Sequence, residues 1–345
     1  MRFDEANYLG QLKALLEIDS TTGLYAEIQD YITSQLDALG YPYTLCRKGG
    51  VIACMGGEGE PIVVTAHLDD IGLMVRAVND DGTLQVCKVG GLYPFYCTGM
   101  NVRLHTRGGQ VYTGTVCRRP ASVHVSEEEL RDTMPDYRSN VCVVLDQPVR
   151  SAQDTRALGI ETGDLLALEP RFTRAGDYIK SHFLDDKALV ALVLAWMQEV
   201  KQAKLPLKRK VYVYFAAYEE IGHGTSWLPE DAADILALDI APTGPDQTSQ
   251  EEKVSIFAMD SRFPYHWEMT NELVSAAKAA GVDYVVDVFT PHYGTDADTS
   301  IIAGHDVRHA AMGPGTANSH GYERMHLDGI RSTYALLGAY LEAKI

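Results

Sequence analysis

The sequence predicts an α/β protein: a three-layer αβα sandwich with a small β-rich domain inserted into it. Three observations carry this. From Asp185 onward, near-continuous apolar runs of strand length alternate with helical stretches. Strands buried on both faces and alternating with helices make layered sandwiches. The early run "PIVVTAH", residues 61–67, has the same style, whereas residues 74–164 change to short alternating strands and tight turns. The expected organisation is a discontinuous α/β domain, 1–73 and 165–345, around an inserted β domain, 74–164.

The elements follow in order. "NYLGQLKALLEI" and "AEIQDYITSQLDALG" carry apolar residues at helical spacing, and the second stops at Gly40. "YTLCRKGGVIACMG" reads as a hairpin pivoting on Gly49-Gly50, followed by the "PIVVTAH" strand. "MVRAVNDDGTLQVCKV" and "NVRLHTRGGQVYTGTV" place "NDDG" and "RGGQ" turns between alternating strands, a hairpin signature, and "SNVCVVLD" adds a strand. "DDKALVALVLAWMQEV" is a helix apolar on most faces and therefore buried. The apolar runs "KVYVYFAAY" and "ADILALDIA" are strands, and "HWEMTNELVSAAKAAG" is a later helix.

With 345 residues, 46% of them hydrophobic, the chain has ample material for a large core. Its formal net charge is −17, from 47 acids against 30 bases. No basic footprint for nucleic acid is present. The acidic surplus serves solubility, and bound cations can neutralise part of it. No stretch reaches the ~18–20 apolar residues that span a bilayer. The amphipathic N-terminus reads as neither a signal nor a transit peptide. The cysteines 46, 54, 87, 97, 117 and 142 form no CxxC pair and read as reduced, buried small residues. These features lead to the expectation of a cytoplasmic protein with no membrane and no nucleic-acid partner.

Five places share one grammar. "IVVTAH" ends at His67, with Asp69 two residues on. "SHFLDD" places Asp185 and Asp186 at a helix start. "YFAAYEE" ends at Glu219 and Glu220, "ADILALDIA" holds Asp239, and "TANSHGYE" holds His320. In open α/β sheets, sites form outside the carboxyl ends of the strands. Taken singly, each has a plain explanation: a loop histidine, a helix-capping aspartate pair, a solvated pair of glutamates. Asp239 is harder to dismiss, because a carboxylate in so apolar a run should be paired or bound to metal. Together, imidazoles and carboxylates without thiolates suit two divalent cations: zinc, cobalt or manganese. Glu219 and Glu220 follow an apolar strand whose neighbours point to alternate sides, so they are expected to take different roles.

The ordered set "AHLDDIG", "LDD", "YEEIG", "ALDIA" and "GTDADTSII" resembles the glutamyl aminopeptidase family of dinuclear metallopeptidases, the type that assembles as tetrahedral dodecamers. "GIETGD" at 159–164 and "DSTTGLYAEIQDYI" at 19–32 resemble further stretches of that family, so the resemblance covers nearly the whole chain in order. It implies a zinc-exopeptidase fold with a β-barrel-like insert that makes dimer contacts. It also implies roles. His67 would bind one metal, with Asp69 orienting its imidazole. Asp185 would bridge both metals, Asp239 would complete the first, and Glu220 and His320 the second. Glu219 would be the general base, and Thr295 and Asp296 would lie near the substrate.

The implied substrates are short peptides with a free N-terminus, and the implied assembly is a homo-oligomer, up to a dodecamer built from dimers. The chain departs from the family pattern at Lys187, where arginine is frequent, at "IGHGTSW" with its His223, and at "SHGYERMH". His292, His305 and His326 are alternatives for the last ligand, and Asp186 for the bridge. A carboxypeptidase or an N-acyl deacylase on the same two-metal fold is the competing activity.

Overall fold

A computed structural model describes residues 3–120, 122–126 and 133–342. Helix α1 (Glu5–Leu16) is capped by Asp4, whose carboxylate accepts the Asn7 amide, and α2 (Ala26–Leu39) stops at a left-handed Gly40. Each buries one stripe: Tyr8, Leu12 and Leu15 in α1, and Ile28, Ile32 and Leu36 in α2. Strands β1 (Tyr43–Leu45) and β2 (Val51–Gly56) form the expected antiparallel hairpin, and β3 (Ile62–His67) is buried throughout.

The next stretch folds as its own unit. Strands β4 (Gly72–Val78), β5 (Leu84–Val89), β6 (Asn101–His105), β7 (Val111–Arg118), β8 (Val141–Leu145) and β9 (Leu165–Leu168) close into a barrel in the order β4-β5-β8-β7-β6-β9. Helices α3 (Pro94–Cys97) and α4 (Ala152–Ala157) are short connections. Closure leaves no open sheet edge.

This unit comprises residues 19–24 and 70–170, so its limits lie a few residues outside the expected 74–164. The reason is pairing. β4 and β9 are barrel strands, and the 19–24 segment bridges Asp70: Asp70 N donates to Ser20 O at 2.9 Å and Ser20 Oγ to Asp70 Oδ2 at 2.8 Å.

The remaining residues build the α/β unit. They contribute β10 (Thr173–Ala175), β11 (Tyr178–Ser181), α5 (Leu184–Ala203), β12 (Val211–Ala216), β13 (Asp234–Leu238), β14 (Ala241–Pro242), β15 (Val254–Met259), α6 (Trp267–Ala280), β16 (Tyr284–Val288), α7 (Asp296–Ile302), β17 (Arg308–Ala317), β18 (Glu323–His326) and α8 (Leu327–Leu341). They complete a 12-stranded mixed sheet whose main path runs β1-β2-β12-β3-β13-β17-β18-β11-β10. At its centre β12, β3 and β13 are parallel neighbours, all but fully buried. One apolar cluster joins Val63, Tyr214, Ile235, Phe257 and Ala311 of the sheet to Ala297 of α7. Helix α5, apolar on nearly every side, packs against β3, α1 and α8, which explains its lack of a polar face. All six cysteines are free thiols. Among the described residues no helix is long and apolar enough to cross a membrane.

Candidate active site

Three adjacent parallel strands deliver most of the site. Ala216 of β12 lies in register with His67 of β3, so both strands release their chains at the same edge, and Asp239 follows β13 beside them. This is the edge where open α/β sheets bind ligands. Gly313 on β17 lets Asp239 lie there: a Cβ at Gly313 would stand 1.6 Å from the Asp239 carbonyl oxygen.

Asp185 and Asp186 precede the regular part of α5. Phe183 is left-handed (φ 65°), and both aspartates have non-helical dihedrals, so the expected helix start is a bent lead-in that points two carboxylates into the α/β unit. Asp186 Oδ2 accepts the His67 amide at 2.9 Å, while its Oδ1 is buried without a hydrogen-bond partner. His320 sits between β17 and β18 in a left-handed conformation (φ 61°).

Glu219 and Glu220 are not on a strand. β12 ends at Ala216, and the pair lies in a 3₁₀ turn, Glu219–Ile221. That turn, rather than strand alternation, sends them to different partners. Glu219 Oε2 lies 3.8 Å from His67 Nε2, and Glu220 Oε2 lies 3.5 Å from His320 Nε2. Asp185 stands between the same two imidazoles, with Oδ1 3.1 Å from His67 Nε2 and Oδ2 3.6 Å from His320 Nε2. The ligand atoms of His67, Asp185 and Glu220 lie within 4.8 Å of one another, as do those of Asp185, Asp186 and Asp239. Asp185 is the member common to both groups.

Asp69 faces the His67 imidazole with two of its oxygens. The atom that meets His67 Nδ1 is the Asp69 carbonyl oxygen, at 2.9 Å, while its carboxylate is 3.7 Å away. That carboxylate also accepts the amides of Glu219 at 3.0 Å and Glu220 at 3.3 Å, fixing the glutamate turn. Asp296 is buried and accepts from Thr65 Oγ1 and the Thr225 amide, and Thr295 caps α7. Of the alternative histidines, His326 caps α8 through Nδ1 and stacks edge-on against Tyr178, His292 is exposed, and His305 is half-buried just past α7.

Glu323 was missed by the sequence reading. It is 1% exposed on β18, and its two oxygens accept the amides of Asp185 and His320, both at 3.1 Å. Its only sequence signal is an acid at a buried-face position, three residues after His320.

The electrostatics are one-sided. Among the described residues, none of Asp185, Asp186, Glu219, Glu220, Asp239 and Glu323 pairs with a lysine or arginine; the only partners of basic type are His67 and His320. Burial is the main force pushing the carboxyl groups of Asp186, Glu219, Glu220 and Asp239 well above their usual range; His67 pulls them down and neighbouring carboxylates add to the rise. Burial works against a charged His67, but its hydrogen bond to Asp185 and the surrounding acids raise it well above an ordinary histidine. Buried carboxylates of this number demand cations or protons. With two imidazoles and an unpartnered buried oxygen among them, the set fits divalent metal ions.

Comparison with known proteins agrees. A model of the M42 glutamyl aminopeptidase family matches residues 49–336. The Bacillus subtilis (strain 168) protein YhfE is 35% identical over 337 residues, covering 96% of each chain. The glutamyl aminopeptidase of Lactococcus lactis subsp. cremoris (strain MG1363) is 25% identical over 320 residues, covering 88% of this chain and 86% of its own. The Pyrococcus horikoshii TET1 peptidase shares the fold with a TM-score of 0.84 at 22% identity, over 96% of this chain and 98% of that one.

The chain belongs to the M42 glutamyl aminopeptidase family. It is a peptide hydrolase of aminopeptidase type, and its family is one of metal-dependent peptidases.

Proposed function

We propose that this aminopeptidase works with two divalent metal ions per chain, zinc or the cobalt and manganese that accept the same donors. His67, Asp185 and Asp239 would hold one, and Glu220, His320 and Asp185 the other. The observation that carries the proposal is Asp185, whose two oxygens face two different imidazoles and which belongs to both groups of closely spaced ligand atoms. Bound there, the ions supply Lewis acidity, polarising the scissile carbonyl and lowering the pKa of an attacking water.

The chain's own residues do the rest. Glu219 is the general base: it takes the water's proton and delivers it to the leaving amine. Its carboxylate is 13% exposed and is aimed by the Asp69 contact to its own amide, so it is both reachable and fixed. Asp69 also sets the His67 tautomer, because its carbonyl can accept only from a protonated Nδ1, leaving Nε2 as the ligand nitrogen. Glu323 ties Asp185 to His320 through their amides. An acid-lined site suits a substrate that enters with its cationic α-amine first, so the substrates are short peptides with a free N-terminus. The test is metal analysis of purified protein together with paired free-amine and N-acetylated peptides. Two ions per chain and cleavage of the free-amine series alone are expected; cleavage of the acetylated series would overturn the substrate assignment.

The chain is also proposed to form a homo-oligomer, up to a dodecamer built from dimers through the barrel unit, and to act in the cytoplasm. The support is the P. horikoshii TET1 peptidase, which assembles into a tetrahedron or a large octahedral shell. Light scattering on the intact chain should give a mass several times 37.9 kDa, and a monomer would end this part of the proposal.

A further inference from the structure

We propose that Lys48, Tyr218 and His223 form a clamp that positions Glu219 and Glu220 for the reaction. The inference rests on the assignment of those glutamates as base and ligand. It starts from a backbone problem. The glutamate turn is flanked by two left-handed residues, Tyr218 (φ 73°) and Gly222 (φ 82°). Glycine adopts that conformation freely; a tyrosine holds it only when its surroundings fix it there. If Tyr218 relaxed, the peptide leading into Glu219 would swing and both carboxylates would leave their imidazoles.

Three contacts fix Tyr218. The His223 amide donates to the Tyr218 carbonyl at 3.1 Å, which closes the turn. The Tyr218 ring stacks on the His223 ring, with centroids 5.2 Å apart and planes 25° from parallel. Lys48 Nζ lies 5.7 Å from the Tyr218 centroid, within cation–π range.

Lys48, from the turn between β1 and β2, has its ammonium donors committed to this loop. It donates to the His223 carbonyl, to His223 Nδ1 at 2.9 Å and to Ser226 Oγ at 2.8 Å. An ammonium has three donors, so none remains for a substrate, and the role is positioning rather than contact. Donation to Nδ1 assigns the His223 proton to Nε2. Burial works against the charged form of Lys48, and the charges of Asp296 and Asp69 oppose that loss. The turn is therefore held from two sides, by the Asp69 carboxylate on its amides and by the lysine clamp on Tyr218.

The experiment compares Lys48→Met, Lys48→Arg, His223→Phe and His223→Asn with the parent, measuring kcat and KM on a free-amine peptide, zinc binding to metal-stripped protein by calorimetry, and melting temperature. Misplacement of catalytic groups by about 1 Å costs up to ~10²-fold in rate. Lys48→Met is expected to lower kcat at least ~10-fold with KM within about threefold, and to weaken one zinc site by ~10-fold, the lower end for a supporting residue. Lys48→Arg should recover most of both losses. His223→Phe keeps the stack and His223→Asn keeps an acceptor, so each should lose less than Lys48→Met. A Lys48→Met protein with parental kcat and zinc affinity, or one that loses only melting temperature, overturns the clamp. Because the Glu219→Gln variant tests the base assignment separately, failure of the clamp and failure of that assignment give different results.

Discussion

Asp19 and Asp239 are carboxylates with little solvent contact, one in the barrel unit and one in the α/β unit, and their partners differ in kind. Burial would raise the Asp19 carboxyl, but His105 and the Arg103 guanidinium, which grips it through Nε at 2.8 and 2.9 Å, hold it down to about 2. Asp239 has no such partner: burial and then the Asp185 charge push it well above the usual range. Sequence sets Asp239 in the apolar run "ADILALDIA" and Asp19 in the polar stretch "EIDSTTG", yet neither context names the partner. What separates them is whether the fold brings its own cation. A carboxylate with an arginine is finished as a structural element, whereas a group of carboxylates with only imidazoles is completed by an ion from outside.

The largest expected effect breaks the open site at its shared member. Asp185→Asn leaves the fold but replaces the one carboxylate common to both ligand groups. Both metals should be lost or weakened together and turnover should vanish, read by metal analysis and peptide hydrolysis. Two tightly held ions in that variant would move the bridge to Asp186, whose Oδ1 lies buried without a partner. Next in size, Glu219→Gln should keep both ions and the melting temperature while turnover falls by the ~10²–10⁴-fold of general-base loss. Glu220→Ala, by contrast, should drop metal content toward one ion per chain. Near-parental hydrolysis by Glu219→Gln would remove it as the base.

A second pair of variants tests the comparison by sign. Arg103→Met leaves Asp19 without its arginine, at a cost of about 1–3 kcal/mol in stability, because a buried group loses its charged partner. Asp239→Asn removes one of several crowded charges, so the metal-stripped protein should melt higher than the metal-stripped parent, while the metal-loaded variant should melt lower than the loaded parent. Equal shifts of one sign in both forms would show that Asp239 is an ordinary structural carboxylate. Thermal unfolding with and without a chelator reads all four cases.

How much of this was legible in the sequence follows from what each feature depends on. Period-two alternation between "NDDG" and "RGGQ" turns marked β4 to β7, because a half-exposed strand writes its pattern locally. That His67, Asp185, Glu219, Glu220 and Asp239 come together was legible because each follows or precedes a long apolar run, which fixes the sheet edge where it emerges. Residues 19–24 were not assigned to the barrel unit, since their pairing with Asp70 spans about fifty positions and leaves no periodic trace. Spacing places Asp69 beside His67 but does not say which of its oxygens lies nearest the imidazole. Glu323 and Lys48 act through backbone atoms and ring faces of distant loops, and no motif encodes those.

The smallest predicted effect concerns acid. The Asp19 carboxyl has an ordinary value of 3.8 and a folded value of about 2, so the folded state binds its proton less readily than the unfolded chain does. The sign follows from linkage: the stabilisation is fully present above about pH 4 and is lost as the pH falls through about 2, below which the carboxylate is protonated in both states. Arg103 is one-third exposed and His105 one-quarter, so solvent screening reduces the contribution to on the order of 1–2 kcal/mol. Asp19→Asn should abolish this component. Urea unfolding of parent and variant, followed by fluorescence between pH 5 and pH 2, should give stabilities that differ at pH 5 and converge toward pH 2. A constant difference across that range would mean that the Arg103 and His105 contacts hold Asp19 by geometry alone, and that the contrast with Asp239 does not arise from charge.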